Sequence, residues 1–488
     1  MFFNTKPALS AIVFSSVISF TSLPAFADNL IEVYHQAVAN DAIFKQAQAD
    51  WLAAQQDIPI ARSYLLPNIS LAAGAFENYQ NFTTDASFTH NGSYASTSVN
   101  LTILQPIFNW KVWASLRSAR AGVKAATANY YYAQQDLITR TVQAYLNVLQ
   151  ADDILRLTRA NKAALAEEYD TAKRKYDVGL ARITDVYDAQ AQYDQARAKE
   201  IAQVNTLQVS IEALHQITGQ YYHYLDGLSD KGIPLSAPQP NDIEIWAQTA
   251  SKQNYQLQAQ YYSTIAAKEQ VQVEAANFYP SFGIQGSFSD QRQFDRTLTL
   301  TDPPHNENLV QQLSAIGLGV NWDIFQGGNV VASTRQARYQ YASSSAKEQT
   351  VSQQVVAGAR KAFLGVNSYN AQIRADQLSV KSAQSALESS RAGYNVGYRT
   401  LTDVLNDTTL LYQSEQALAV DQYAYINNFV ALKELAGTLG PADVVKLNSW
   451  LTKPINLEAD EKITTDGNTK EPRQPTTSTA ETTLPNTK

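Results

Sequence analysis

Hydrophobic side chains recur at helical spacing through two long stretches of the chain that almost lack glycine and proline. From Lys111 to Val178 there is no proline, and Gly122 is the one glycine. One stripe has intervals of four, three and four residues and consists of Ile138, Val142, Tyr145 and Leu149. This spacing is typical of packed coiled-coil helices. A helix of roughly 65 residues would be about 100 Å long, which ordinary globular domains rarely contain.

Each long helix is predicted to turn back at a glycine, because glycine breaks helices and accommodates tight turns. The first turn is at Gly179, and the returning helix should run from about Ile183 to Thr218. A second hairpin is predicted from about Val330 to Leu435, with its turn at Gly397. The pattern thus indicates two long antiparallel helical hairpins.

Alternating polar and apolar residues predict two strands ahead of each hairpin. The first pair covers Asn68 to Tyr79 and Ser96 to Phe108, and the second begins near Phe282 and Ile316. Strands of about ten residues with this alternation are typical of transmembrane barrels. The segment from Asp28 to about Ser63 lacks glycine and suits a helix, although its one proline favours a kink or an early end.

The two halves of the chain repeat one plan. Tyr176-Asp-Val-Gly-Leu-Ala-Arg-Ile-Thr-Asp-Val returns as Tyr394-Asn-Val-Gly-Tyr-Arg-Thr-Leu-Thr-Asp-Val, so equivalent positions lie 394 − 176 = 218 residues apart. The same offset relates Ala119-Arg120 to Ala337-Arg338, as expected for a duplicated continuous helix. The predicted divisions are a signal peptide (1–27), a first repeat (28–236), a second repeat (237–455) and a disordered tail (456–488).

The N-terminus has the form of an export signal. Lys6 precedes an apolar run from Ala8 to Phe20, and Ala25-Phe-Ala27 fits the small-x-small cleavage rule, which places cleavage before Asp28. An uncleaved anchor is the alternative, although the run is short for a membrane-spanning helix. The absence of cysteine fits an oxidising periplasm. From residue 456 the chain is rich in Glu, Asp, Thr, Pro and Lys, which is typical of disorder.

Composition and motifs argue against several functions. A net charge of −7 argues against nucleic acid as a main partner. The five histidines are scattered and form no metal-binding pair, and there is no G-x-S-x-G motif or glycine-rich phosphate loop. We therefore predict no catalytic residue, no metal site, no cofactor and no enzyme activity. No long apolar window follows residue 27, so any membrane crossing would use strands.

Four strands are too few to close a barrel, since closure needs about eight. Open strand edges are not tolerated in lipid, so four strands in an exported chain imply an oligomer that shares one barrel. The predicted fold class is an α+β membrane protein with a shared transmembrane β-barrel of four strands per chain. The long helical hairpins also need lateral neighbours to bury their apolar stripes. A periplasmic coiled-coil scaffold or adaptor without a channel is the alternative.

These features resemble the outer-membrane efflux protein family, the TolC-like outer membrane factors. The resemblance rests on the duplicated plan, the two Y-x-V-G-x-x-x-x-T-D-V tips and the Ala-Phe-Ala signal, and it covers Asp28 to about Leu451. It implies a homotrimer in the outer membrane of a Gram-negative bacterium, in which a long α-helical coiled-coil tunnel continues the shared barrel into the periplasm. It also implies three partners: a periplasmic adaptor (membrane fusion) protein, an inner-membrane RND or ABC transporter, and outer-membrane lipid. The implied function is a passive exit duct for drugs, small molecules or secreted proteins, as in efflux and type I secretion.

The resemblance further implies a gate at the hairpin tips. The matching latch positions are Thr184 and Asp185 on the first tip and Tyr394 and Arg399 on the second. A charge-assisted contact of about 1–3 kcal/mol suits a switch, because it biases a state yet can be broken. The alternative is that the Thr-Asp pairs cap the returning helices. Capping does not account for Arg399, whose counterpart at the 218-residue offset is Ala181.

A constriction ring is implied next to the second latch. Asp403 matches an inward-facing carboxylate at the narrowest point, and three copies would make a cation-favouring ring. The family has a second aspartate three residues later, where this chain has Asn406 followed by Asp407. This departure predicts a weaker negative constriction.

Overall fold

A computed structural model describes residues 28–83, 89–229, 232–298 and 305–457. The predicted signal peptide, and the predicted tail from residue 458 onward, lie outside these ranges. Within them the chain forms two long helical hairpins, a four-stranded sheet and a smaller layer of short helices and strands. In these ranges, none of the helices combines the length and apolar character that a membrane-spanning helix requires.

The first half begins with three short helices where the sequence predicts one. They are α1 (Leu30–Asn40), α2 (Ala42–Gln55) and α3 (Asp57–Ser63). Asp41 separates the first two because its carboxylate accepts the Phe44 N–H at 2.6 Å and caps α2. Pro59 lies in the first turn of α3, where a missing N–H costs nothing. The single predicted helix is therefore interrupted twice.

The remaining elements of both halves follow the repeated plan. The first half continues with β1 (Asn68–Thr83), β2 (Thr89–Phe108), α4 (Trp110–Asp177), α5 (Ile183–Thr218) and β3 (Tyr224–Leu228). The second half contains α6 (Ile243–Gln253), α7 (Tyr255–Ala275), β4 (Ser281–Leu298), β5 (His305–Asn321), α8 (Asn329–Asn395), α9 (Leu401–Leu435), α10 (Pro441–Asn448) and β6 (Leu451–Asn456). The strands of the large sheet have 16 to 20 residues and exceed the predicted length.

The large sheet is antiparallel, with strand order β1-β2-β4-β5. β2 and β4 form its centre, and Leu101 faces Phe288 in their register. In the part of the chain that the structure describes, the outer strands β1 and β5 pair on one side only. The sheet therefore presents two open edges.

The main core lies beside the middle of α4. The predicted stripe of Ile138, Val142, Tyr145 and Leu149 is almost completely buried, which confirms the helical pattern. Tyr423 and Ile426 of α9 pack into the same cluster. Burial of this stripe joins the first hairpin to the second.

A two-stranded sheet of β3 and β6, together with α10, was not predicted. β3 has five residues and includes Gly227, and β6 has six and includes Pro454, so neither has a strong strand pattern. The Tyr145 hydroxyl donates to the Asp226 carbonyl at 2.7 Å and so fixes β3 against α4. β6 ends at Asn456, the first residue of the predicted tail. This small sheet connects the two halves of the chain.

Candidate functional site at the hairpin tips

Both hairpins turn through a glycine in the left-handed conformation. Gly179 has φ +77° and Gly397 has φ +84°, a region that other residues adopt only with strain. The Leu180 N–H donates to the Lys175 carbonyl at 2.7 Å, and the Tyr398 N–H donates to the Gly393 carbonyl at 2.8 Å. These equivalent bonds close the last turns of α4 and α8 in the same way.

An aspartate caps each returning helix. At the start of α9, the Asp403 carboxylate accepts the Thr400 N–H and hydroxyl, each at 2.9 Å. At the start of α5, the Asp185 carboxylate accepts the Arg182 N–H at 3.3 Å. Capping is therefore performed by the aspartate of each Thr-Asp pair, at the third helical position, and not by Thr184 or Thr402. The bonds from Thr400, reinforced by the charge of Arg399, hold the pKa of Asp403 below its ordinary value.

The latch residues of the two tips do not meet within one chain. In the described ranges, no hydrogen bond joins Thr184 or Asp185 to Tyr394 or Arg399. The Tyr394 ring lies under the Lys175 ammonium, with Nζ 4.1 Å from the ring centroid, and packs against a buried apolar cluster. Thr184 is exposed in the first turn of α5. The four residues are therefore close to the tips but engaged separately.

The Arg399 side chain is exposed and lies over Gly393. A Cβ at residue 393 would come within 2.8 Å of the Arg399 Cγ, so the glycine makes room for this side chain. Among the described residues, the Arg399 guanidinium forms no ion pair within 4 Å. The charged end of Arg399 is thus available to a group outside this chain.

The tips of the two hairpins contact each other through residues that the sequence did not single out. A buried cluster combines residues of α4, α5 and α9, namely Leu165, Ala172, Val186, Ala189, Ala196, Leu401 and Leu405. Arg391 of α8 pairs with Glu168 of α4 at 3.3 Å. The Thr402 hydroxyl donates to the Asp188 carboxylate at 3.4 Å. Leu401 and Leu405 have the i, i+4 spacing of a buried face, which is the signal that could have identified them.

Asn406 and Asp407, three and four residues after Asp403, differ in their contacts. Asn406 is exposed on the surface of α9. Asp407 instead accepts a hydrogen bond from the hydroxyl of Ser390, a buried residue of α8. The carboxylate that follows Asn406 is thus directed into the hairpin and fastens α9 to α8.

The described residues contain no group of three His, Cys, Asp or Glu side chains that could hold a metal ion. His215 stacks on Tyr221, with ring centroids 3.9 Å apart, and is 4.0 Å from Glu212. That arrangement is a surface contact between α5 and the segment after it.

One known protein family matches both hairpins of the chain. The model of the family described as "Outer membrane efflux protein" matches residues 33–220 and 246–438. The chain belongs to the outer membrane efflux protein family. Each matched segment includes one complete hairpin, and the family places the chain in the outer membrane of Gram-negative bacteria.

Relatives in this family are similar over nearly their whole lengths. The chain is 34% identical to outer membrane protein TolC of Escherichia coli over 460 residues, which cover 93% of this chain and 91% of that protein. It is 25% identical to alkaline protease secretion protein AprF of Pseudomonas aeruginosa over 427 residues, which cover 86% of each.

Solved structures of outer-membrane channels share the fold. The Campylobacter jejuni CmeC outer membrane channel superposes with a TM-score of 0.71 at 18% identity, covering 87% of this chain and 89% of that one. Outer membrane protein VceC of Vibrio cholerae gives 0.69 at 19% identity, covering 84% and 96%. The α+β arrangement predicted from the sequence is therefore confirmed.

Proposed function

We propose that this outer membrane efflux family member is the exit duct of a tripartite export system. It passively conducts drugs, small molecules or secreted proteins from an inner-membrane pump to the outside, and its hairpin tips close the periplasmic end. The observation that carries this proposal is the attachment of two very long hairpins to one sheet with two open edges. A long helical body joined to an incomplete sheet fits a tunnel wall better than an enzyme scaffold.

The open sheet supports a homotrimer with a shared barrel. Ile316, Leu318 and Val320 alternate along β5, and each exposes at least 64% of its surface. An apolar face on this scale suits outer-membrane lipid, and the open edges of β1 and β5 suit pairing with neighbouring copies. Four strands per chain reach a closed barrel only through such pairing.

Two structural repeats, 28–236 and 237–455, remain our division of the chain. Each contains a strand pair followed by a long hairpin, and the family model matches one segment in each half. Three copies of two hairpins would line a continuous tunnel below the barrel.

The names of the relatives do not favour drugs over secreted proteins as the cargo. AprF and the proteases secretion protein PrtF of Dickeya chrysanthemi are named for secretion, whereas BepC of Brucella suis is named an efflux protein. Because both kinds of cargo stay open, we propose either an RND or an ABC transporter of the inner membrane as a partner. A periplasmic adaptor would join that transporter to this chain. The energy source would lie in the pump, so this chain would need no nucleotide, metal or other cofactor.

The proposed gate is an interaction between neighbouring chains. The exposed Arg399 guanidinium would contact Thr184 and Asp185 of the next copy, while Tyr394 positions the tip within its own chain. Three Asp403 carboxylates would surround the constriction, with the uncharged Asn406 next to them. Gly179 and Gly397 would set the shape of both tips.

A conductance measurement tests the duct and its latch together. The mature protein would be reconstituted in a planar bilayer beside Arg399→Ser and the control Arg174→Ser, which removes an exposed arginine of the other hairpin, in the last turn of α4. We expect a small conductance in the wild type, a larger one in Arg399→Ser, and little change in the control. A detergent-independent soluble protein that never conducts would contradict the duct and favour the scaffold alternative.

A further inference from the structure

Two carboxylates meet between the helices of the second hairpin. The side chains of Asp376 on α8 and Asp421 on α9 are within hydrogen-bond contact. Asp421 is only 8% exposed, and the Oδ2 atom of Asp376 is buried and accepts no hydrogen bond from an N–H or O–H donor of the described chain. Two ionised carboxylates repel each other at this separation, so the contact requires a proton between them.

Among the described residues, neither member of this pair has a cation within 4 Å. On α8 the nearest basic residue in sequence is Arg374, which is exposed. On α4, Arg156 pairs with Asp153 at 2.7 Å, and Asp153 also accepts the Tyr423 hydroxyl at 2.7 Å.

Acidic groups on α9 and on α5, which packs against α9, interact with cations of α4 instead. Glu415 precedes Asp421 on α9, and its charge interacts with that of Arg156. On α5, Glu200 is neutralised by Arg159 and Lys162 of α4. Within the described ranges, neither aspartate forms an ion pair within 4 Å, and the charge that acts on Asp421 is that of Asp376.

We propose that Asp376 and Asp421 form a proton-operated contact that fastens α8 to α9. With one proton, the pair is joined by a single O–H···O hydrogen bond between the helices. When that proton is released to water, two negative charges remain side by side in a buried position. The contact then becomes repulsive.

The pair loses its proton at a pH that cells encounter. Burial first, and then Asp376, raises the pKa of Asp421 to about 6. Because the pKa of Asp421 is raised in the folded state, the stabilisation is complete only below the ordinary aspartate pKa of about 4 and is lost as the pH rises from there through about 6. Asp421 lies 421 − 401 = 20 residues from the start of α9, or about 30 Å from the tip. Acidic conditions should therefore stiffen the second hairpin along its length.

Thermal unfolding of the full mature protein in detergent tests this proposal at pH 5 and pH 7.5. Asp421→Asn supplies a permanent N–H donor to Asp376 and so imitates the protonated pair. We expect this variant to melt about 2 °C or more above the wild type at pH 7.5 and to exceed it by a clearly smaller margin at pH 5, where most folded wild-type molecules hold the proton. Glu388→Gln, an exposed change on α8, is the matched control and should follow the wild type at both pH values.

Three results would overturn the proposal. One is an Asp421→Asn variant that is no more stable than the wild type at pH 7.5. Another is infrared difference spectroscopy with labelled aspartate that finds no protonated carboxyl at pH 5 in the wild type. The third is stabilisation of the wild type by Mg²⁺ or Ca²⁺ at pH 7.5 that Asp421→Asn abolishes, since the ligand would then be a metal ion. If Asp421→Asn does not fold, Asp376→Asn gives the same comparison from α8. None of these outcomes depends on whether the protein conducts.

Discussion

The Asp403 carboxylate accepts two hydrogen bonds from Thr400, one from its N–H and one from its hydroxyl, and both measure 2.9 Å. The residue that we place in the constriction ring is therefore also the residue that completes the cap of α9. The negative charge of Asp403 would serve the ring, whereas its oxygen atom accepts the bonds of the cap. A substitution that removes both cannot distinguish the ring from the cap.

Asp403→Asn should separate these two roles, because asparagine keeps a carbonyl acceptor for Thr400 and loses the charge. We expect Asp403→Asn and Asp403→Ala to lose cation selectivity equally in reversal-potential measurements. Only Asp403→Ala should lower the melting temperature, since it alone removes the acceptor. Equal melting temperatures for both variants would contradict the role of the cap.

Asn406→Asp should strengthen the constriction. Asn406 is exposed on α9, whereas Asp407 is bonded to Ser390 and directed into the hairpin. We expect a higher cation selectivity and tighter block by a trivalent cation in single-channel recordings, because three carboxylates are added to the proposed ring. Asn395→Asp, at the exposed end of α8, is the control for a charge added near the tip. A variant with unchanged selectivity would place Asn406 away from the pore.

The ring should keep its charge into unusually acidic solution. Bonds from Thr400 and the nearby Arg399 charge lower the pKa of Asp403, so the carboxylate stays ionised as the pH falls through the ordinary aspartate range. Cation selectivity should therefore persist below about pH 4 and fade only when the lowered pKa is reached. In Arg399→Ser the loss should begin at a higher pH. A titration of selectivity in both proteins measures this difference, and identical curves would contradict it.

Gly397→Ala should destabilise the second tip. The residue has φ +84°, and a side chain there costs about 1–2 kcal/mol. Gly122→Ala is the matched control, since Gly122 is within α4 and a Cβ would meet no atom within 4 Å. That change should stabilise the protein by about 0.5–1 kcal/mol in chemical unfolding. The prediction fails if the two alanines shift stability in the same direction.

Glu200 should contribute strongly to the stability of the first hairpin. Its buried carboxylate on α5 accepts Arg159 at 3.1 Å and also pairs with Lys162 of α4. Glu200→Gln should cost about 1–3 kcal/mol, since the negative charge that both cations contact is removed. Glu212→Gln is the control, because that carboxylate is largely exposed.

The pH dependence of Glu200 gives a second check on this group. Burial raises the pKa of Glu200, but Lys162 and Arg159 more than offset burial and lower it. The stabilisation should thus be complete above about pH 4.5 and disappear as the pH falls through the lowered pKa. Wild type and Glu200→Gln should therefore converge in stability in strong acid.

Helical periodicity predicted the hairpins well because long coiled-coil helices are determined by local spacing. The returning helix α5 spans Ile183–Thr218, which are the predicted ends, and the stripe around Tyr145 is buried. Strand ends were less predictable, since alternation fades where both faces of a strand become polar. β1 accordingly extends to Thr83, beyond the predicted Tyr79.

The contacts between distant segments could not be read from the sequence. The pairing of β3 with β6 joins residues more than 220 positions apart, and nothing in either short segment specifies its partner. The packing of Leu401 against α5 likewise depends on how two hairpins lie side by side. The resemblance suggested which tip residues matter, but only the structure shows that Asp403 bonds Thr400 and that Arg399 lies over Gly393.

The small sheet of β3 and β6 brings both ends of the described chain to one place. The Asp28 N–H donates to the Tyr224 carbonyl at 3.1 Å, and the Leu457 N–H donates to the His223 carbonyl at 2.9 Å. A fluorophore attached after Leu457 would therefore sit at mid-height on the molecule, remote from both the membrane sheet and the tips. Such a label offers a fixed reference point from which energy transfer to a second dye at Tyr398 could follow movement of the tip.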